Sequence, residues 1–472
     1  MANRQRESSM AEGVLSPRFR ALAIGLVTLV AAAAFSRLGV STALPAAAEE
    51  LGGLALYGWV FTAFTLANIV GLAVAGPVFD RFGIVRPLAV GTVSFAGGLL
   101  ISSLAPTMSV IVLGRVFQGL GAGALSVAAY SAIGKGFPDQ IRPKMLALNA
   151  SAFTIPSLVG PVLAGLIAET LTWRWVFGIL VPLAPLAAFL VRRPLGRIDR
   201  QATRTTEPGV APSENRRTLL RGLGWGLVLS VGLGAVLIAP NLPVQWALVA
   251  LVVGLPFAYL GVRRVLPAGT LTARRGLPAN VVFAAALSMA FFTADLFIPL
   301  ALTSVRGISA TLAGIVLTAG IIGWTAGAYA PARLLKWGMT KGGIARLGAI
   351  LVIAGLTVIG AVILTTVPVP VPVPVAAVGW IIAGLGAGLG FTINSIAVLD
   401  DAAGTVGRAS SQMELGNQAG IAIGTGLAGA LVATMGATAA GLSGVLVVAG
   451  AGVVLALLAP CLLYTSDAAD DR

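Results

Sequence analysis

Gly76-Pro-Val-Phe-Asp80-Arg81-Phe-Gly83-Ile-Val-Arg86 is the stretch whose reading decides the fold. It lies between two long apolar runs, at approximately 57–78 and 87–105. A membrane-spanning helix needs roughly 20 predominantly apolar residues, and each run is long enough. Gly83 permits the tight turn that joins them. The charges are confined to the turn, so the unit reads as a hairpin of two spanning helices. Asp80 falls near the end of the first helix, where it can pair with Arg86 or with a base from elsewhere in the chain.

The same pattern extends in both directions. Further apolar runs lie at approximately 21–44, 108–133, 145–168, 174–191, 222–240, 244–261, 279–303, 309–330, 344–366, 375–398, 415–435 and 439–460, which makes fourteen with the first two. They do not alternate with period two, so helices rather than barrel strands are expected. The chain is 57% hydrophobic and 10% charged. A soluble domain carries roughly 25% charged residues, so lipid is the solvent this composition fits. The polar, Arg-bearing segment Met1 to Arg20 precedes a run read as the first spanning helix, with no small-residue cleavage site after it.

Charge gives the orientation. The net charge is +14, but the basic residues are scattered through short loops and form no single basic face. That excludes a nucleic-acid partner and fits the excess of Lys and Arg on cytoplasmic loops. With the N-terminus in the cytoplasm, all 31 basic residues except Arg37, Arg115, Arg174 and Arg306 fall inside. Arg37 and Arg115 fall within the membrane. The chain has no His, which excludes histidine relays and His-based metal or nucleophile sites. Cys461 is the one cysteine, so no disulfide or thiolate cluster is expected. No metal or other cofactor is expected.

The two ends of the chain echo each other. Gly119-Leu-Gly-Ala-Gly123 recurs as Gly384-Leu-Gly-Ala-Gly388, and Gly160-Pro-Val-Leu-Ala-Gly165 as Gly424-Thr-Gly-Leu-Ala-Gly429. Arg81-Phe-Gly83 matches Lys336-Trp-Gly338. Runs 1–6 therefore pair with runs 9–14 in the same order, as parallel repeats about an axis along the membrane normal, and runs 7 and 8 are an inserted pair. Glycine costs about 1 kcal/mol relative to Ala inside a helix, and close helix packing is the usual gain. The expected organisation is an N-terminal six-helix bundle over 1–191, a flexible cytoplasmic linker over 192–221, the inserted pair and its loop over 222–278, and a C-terminal six-helix bundle over 279–460. Residues 461–472 resemble a translated sequencing adapter and are expected to be non-native. Pro368-Val-Pro-Val-Pro-Val-Pro374 is expected to form an extended outer loop.

The opening stretch resembles the Gly-x-x-x-Asp-Arg-x-Gly-x-x-Arg signature of the major facilitator superfamily. Gly76, Asp80, Arg81, Gly83 and Arg86 stand at its positions. The resemblance implies an all-α membrane protein with the major facilitator fold, and an inner gate at this loop. A static ion pair stabilising the loop is the alternative, and Leu335 at the position matching Asp80 in the second half makes any latch asymmetric. Arg115-Val-Phe-Gln118-Gly119 resembles an element associated with proton coupling in the family. A buried Arg costs roughly 2.5–3.5 kcal/mol on insertion scales, so Arg115 either takes part in coupling or bonds carbonyls of neighbouring helices. Gly160-Pro161-Val-Leu-Ala164-Gly165 resembles the antiporter motif, with Ala164 in place of one glycine; a kinked packing helix is the other reading. Trp173-Arg174-Trp175 reads as an interfacial anchor. The layout of six, two and six helices is that of the fourteen-helix drug:proton antiporter branch.

One departure concerns the first helix, where Ser36 and Arg37 stand near the position at which such exporters often carry Asp. Asp295 in run 9 falls at the place of Arg37 in the repeat. The pair is read as an outer gate and proton-coupling contact, or as two residues bonding within their own halves, with Glu414 the next candidate acid. The function expected is proton-coupled export of small amphipathic compounds by a monomer in the plasma membrane. A uniporter or metabolite exporter of the same fold is the alternative. A membrane enzyme or receptor fits less well, because the loops gather no acid, base and nucleophile. Glu49, Glu50, Glu169, Asp400 and Asp401, near helix ends, read as solvated.

Overall fold

The computed structural model describes residues 14–17, 19–138, 141–205, 212–364, 372–401 and 406–463. Fourteen of its helices are long and apolar enough to cross a membrane, and no strand occurs among the described residues. They are α1 Arg20–Glu50, α2 Tyr57–Phe82, α3 Val85–Ser103, α4 Met108–Gly136, α5 Arg142–Thr170, α6 Leu180–Thr205 and α7 Pro212–Ile238. The second group is α8 Val244–Val265, α9 Leu277–Ser304, α10 Ala310–Tyr329, α11 Lys341–Leu364, α12 Pro372–Asp401, α13 Val406–Met435 and α14 Ala439–Leu463. Short helices Arg174–Gly178 and Pro331–Lys336 precede α6 and follow α10.

Each apolar run read from the sequence is one of these helices. Two loops are shorter than read. Where a flexible linker is expected over 192–221, α6 continues to Thr205 and α7 begins at Pro212. Arg, Gln and Ala are good helix formers, so polar composition there does not end a helix. Residues 206–211 lie outside the described residues. α12 begins at Pro372, inside the proline run, because the first helical turn has no intrahelical acceptor for the missing N–H groups. Residues 365–371 lie outside the described residues, as do 464–472 of the expected non-native tail.

The repeat is a repeat of packing. α1 lies on α5 and α6, α2 and α3 on α4, and α3 on α6. Equivalently, α9 lies on α13 and α14, α10 and α11 on α12, and α11 on α14. The glycine runs explain the closeness. A Cβ at Gly121 would lie 2.6 Å from the Phe95 amide nitrogen of α3, and one at Gly123 2.7 Å from that of Leu72 in α2. In the second half, a Cβ at Gly386 would lie 2.7 Å from the Val352 nitrogen of α11, and one at Gly388 2.9 Å from the Ala328 nitrogen of α10. Lipid tails are as apolar as leucine, so backbone approach through small residues, rather than hydrophobic exclusion, holds such helices together. α7 and α8 pack on each other, and α7 also lies against α2 and α13; the Ser230 hydroxyl donates to the Leu66 carbonyl at 2.9 Å.

The halves meet along two equivalent seams, α2 against α13 and α5 against α10. Both seams close on the side where α1 ends. A Cβ at Gly429 would lie 2.6 Å from the Gly58 Cα, and one at Gly165 2.8 Å from the Thr311 Cα. Gly165 and Gly429 are the matched final glycines of the two repeat motifs. The Thr62 and Thr425 hydroxyls are 3.0 Å apart across the first seam. Tyr57 Oη donates to the Leu296 carbonyl at 3.3 Å.

Candidate functional site

Beneath these seams lies a cavity of about 110 Å³. Its wall in the second half is aromatic: Phe291 and Phe292 on α9 and Trp324 on α10. These rings form one cluster, with the Phe291 and Trp324 centroids 5.2 Å apart and Trp324 stacked on Phe391 at 4.9 Å. The first half contributes Arg37 from α1 and Phe153, Thr154, Ser157 and Pro161 from α5. Leu38, Leu317, Ile321 and Thr325 add to the lining, as does Asp295. Asp295 lies on the same face of α9 as Phe291 and Phe292, four and three residues before it.

Arg37 and Asp295, from opposite halves, also line a second, smaller cavity that reaches Arg115. They are not ion-paired: among the described residues the ion pairs lie elsewhere. The Arg37 guanidinium instead sits over the Phe292 ring, 5.2 Å from its centroid. A cation over an aromatic face is stabilised by the ring quadrupole. Electrostatically, Arg37 faces two carboxylates of the second half, Glu414 and Asp295. Glu414 accepts from Gln418 Nε2 at 2.8 Å and Asn417 Nδ2 at 3.3 Å. Asn417 in turn accepts from the Ser288 hydroxyl of α9 at 3.0 Å.

Arg115 is 1% exposed, and its hydrogen bonds go to neutral groups of its own half. Nε donates to the Val60 carbonyl at 3.1 Å and Nη1 to Gln118 Oε1 at 2.8 Å. Gln118 passes the network on, donating to the Gly98 carbonyl at 3.0 Å and Ser102 Oγ at 2.9 Å. The guanidinium also lies 4.2 Å from the Phe64 ring centroid. Of the two readings of Arg115, bonding to neighbouring helices describes these contacts. Arg115 lines the smaller cavity with Arg37 and Asp295, where the charge of Arg37 acts on it.

In the antiporter-like motif, Gly165 makes the close approach to α10, and Pro161 lines the cavity with its backbone against Gly314. Gly160 meets only the Phe35 ring, at ordinary contact distance. In the turn between α2 and α3, Gly83 has φ +73° and its repeat partner Gly338 +84°, positive values that favour glycine. Arg86 is exposed. The side chains of Gly76, Asp80 and Arg81 lie outside the described residues. At the place of Arg86 in the second half, Lys341 pairs with Asp400 at 2.6 Å.

Sequence reading missed three contacts. Glu50 is engaged rather than simply solvated, accepting from Trp173 Nε1 at 2.7 Å and pairing with Arg174. The Trp-Arg motif thus ties the end of α1 to the approach to α6. Glu169 accepts from the Thr311 amide at 2.9 Å and its hydroxyl at 2.7 Å. A carboxylate from α5 therefore caps the first turn of α10, across the closed seam. The aromatic wall was legible in principle, because Phe291 and Phe292 sit four and three residues before Asp295.

The sequence model for the Major Facilitator Superfamily matches residues 24–425. The chain belongs to the Major Facilitator Superfamily. It is a multi-pass membrane transporter of that superfamily. Multidrug resistance protein 3 of Bacillus subtilis (strain 168) is 31% identical over 170 residues, 36% of this chain and 33% of that protein. Multidrug efflux pump SdrM of Staphylococcus aureus (strain N315) is 30% identical over 168 residues, 36% of this chain and 38% of that one. The chain spans about a third of the length of these curated relatives. Among solved structures, a peptide transporter POT in complex with sulfate superposes with TM-score 0.65 at 18% identity, covering 93% of this chain and 94% of that one. The nucleoside transporter NupG gives 0.61 at 16%, covering 93% and 98%. At such identities the likeness is one of fold.

Proposed function

We propose that this chain is a proton-coupled exporter of small amphipathic aromatic compounds, neutral, zwitterionic or anionic. It works as a monomer in the plasma membrane, with its N-terminus in the cytoplasm. One observation carries the reading: Arg37 and Asp295, from opposite halves, line one cavity with an aromatic wall beneath a closed seam. Such a cavity alternates in access when the halves rock. The ring wall suits a flat apolar body, and the Arg37 guanidinium suits a negative group. Asp295 supplies a site that can exchange a proton. The distribution of basic residues supports the orientation, and two relatives named as multidrug proteins support export.

The substrate class is tested by competition in inverted vesicles. An aromatic carboxylate is expected to inhibit export of a fluorescent reporter better than a quaternary ammonium compound of similar size. A charge-assisted hydrogen bond contributes about 1.5–3 kcal/mol, so Arg37→Gln should weaken carboxylate inhibition about ten- to a hundredfold and leave neutral competitors little changed. Stronger inhibition by the quaternary ammonium, with no effect of Arg37→Gln on the carboxylate, would contradict the assignment.

A further inference from the structure

Far from the central cavity, a second cleft opens beside α3 and α6, lined by Val85, Arg192, Arg193, Gly196 and Arg197. Its depth is fixed by the helices. The apolar run of α6 gives way to charge at Arg192, directly after Val191, and α3 begins at Val85. The cleft therefore sits where hydrocarbon gives way to headgroups. Arg192 lies over the ring of Phe189, 4.5 Å from its centroid, and Phe189 is exposed on the helix surface. An apolar face thus runs directly into a guanidinium cluster. Among the described residues, Arg192, Arg193 and Arg197 form no ion pair. Scattered basic residues satisfy the orientation rule; three converging on one cleft at headgroup depth do more than that rule requires.

We propose that this cleft binds the phosphate headgroup of an anionic phospholipid, with an acyl chain against Phe189. Arginine suits the task because its planar fork donates to two phosphate oxygens at once. Basic pockets between spanning helices on the cytoplasmic side bind such headgroups. The cleft touches Val85, the first residue of α3 and two residues after the Gly83 turn, so an occupying lipid would brace the junction of α2 and α3. The inference is independent of what the central cavity carries.

The test uses full-length protein in mixed nanodiscs of phosphatidylglycerol and phosphatidylcholine, with retained lipid read by native mass spectrometry. Phosphatidylglycerol should be retained over phosphatidylcholine. The variant Arg192→Gln/Arg193→Gln/Arg197→Gln should lose that preference, by on the order of fivefold per arginine. Arg263→Gln/Arg264→Gln/Arg275→Gln, which removes equal charge elsewhere, should keep it. Arg193→Gln alone serves if the triple variant unfolds, and should lose retention by about fivefold. Equal retention in the cleft and control variants would overturn the proposal. Displacement of the lipid by millimolar inorganic phosphate would also overturn it, by making the cleft a site for free anions.

Discussion

Asp295→Asn is expected to abolish export driven by a pH gradient while leaving the protein folded and able to bind substrate. Asp295 is 6% exposed and faces the cavity shared with Arg37. Ionisable residues at such depth are expensive and mark ion pathways. The amide has the shape of the carboxylic acid and keeps a donor and an acceptor, so packing against Phe291 and Phe292 survives. What it loses is the exchangeable proton. Each proton moved down a gradient of one pH unit supplies about 1.4 kcal/mol, enough to sustain about a tenfold substrate gradient. The variant should lose that tenfold accumulation per unit and retain substrate-induced quenching of tryptophan fluorescence, reported by Trp324. Undiminished gradient-driven export would remove Asp295 as the coupling site. Glu414, held by Gln418 and Asn417 on the same half, would then be tested as Glu414→Gln.

The second large effect is steric. Gly165→Val should trap the transporter with the α1-end side open. A Cβ at Gly165 would lie 2.7 Å from the Ala310 carbonyl oxygen and 2.8 Å from the Thr311 Cα, and neither is a side-chain end that can swing away. Glu169 holds the same crossing by capping α10. Overpacking costs about 1–3 kcal/mol, which shifts a two-state equilibrium about five- to 150-fold. Transport should fall accordingly, because the closed arrangement is one end of the cycle. The readout is a cysteine at Ser157, which lines the cavity, in a Cys461→Ser background. It should resist impermeant thiol reagents from outside intact cells, and react with them once Gly165→Val is added. Gly429→Val, at the equivalent crossing with Gly58, should behave in the same way. Unchanged labelling and transport in both variants would mean that the glycine seams do not limit closure.

Much of the fold was legible because lipid imposes a simple rule: each crossing must satisfy its own backbone within an apolar run. That rule located all fourteen helices and the turn at Gly83, and the repeated glycines located the two halves. It did not locate the end of α6, since beyond the membrane a polar sequence such as Arg197–Thr205 is free to stay helical. The site was legible only in part. Matching Arg37 to Asp295 through the repeat brought out two residues that line one cavity. It did not give their contacts, because side-chain partners are set by packing that the repeat does not encode. In this arrangement Phe292, rather than Asp295, holds the Arg37 guanidinium. Glu50 and Glu169 were read as solvated because each sits at a helix end. Their partners, Arg174 and the first turn of α10, are distant in sequence and meet them only through the fold.

The most direct test is transport by the purified chain in proteoliposomes with an imposed pH gradient and a labelled aromatic carboxylate. The expected result is accumulation against its own gradient on the acidic side, lost when a protonophore collapses the gradient and absent in Asp295→Asn. Movement that only equilibrates the carboxylate, at the same rate with and without the pH gradient, would contradict it.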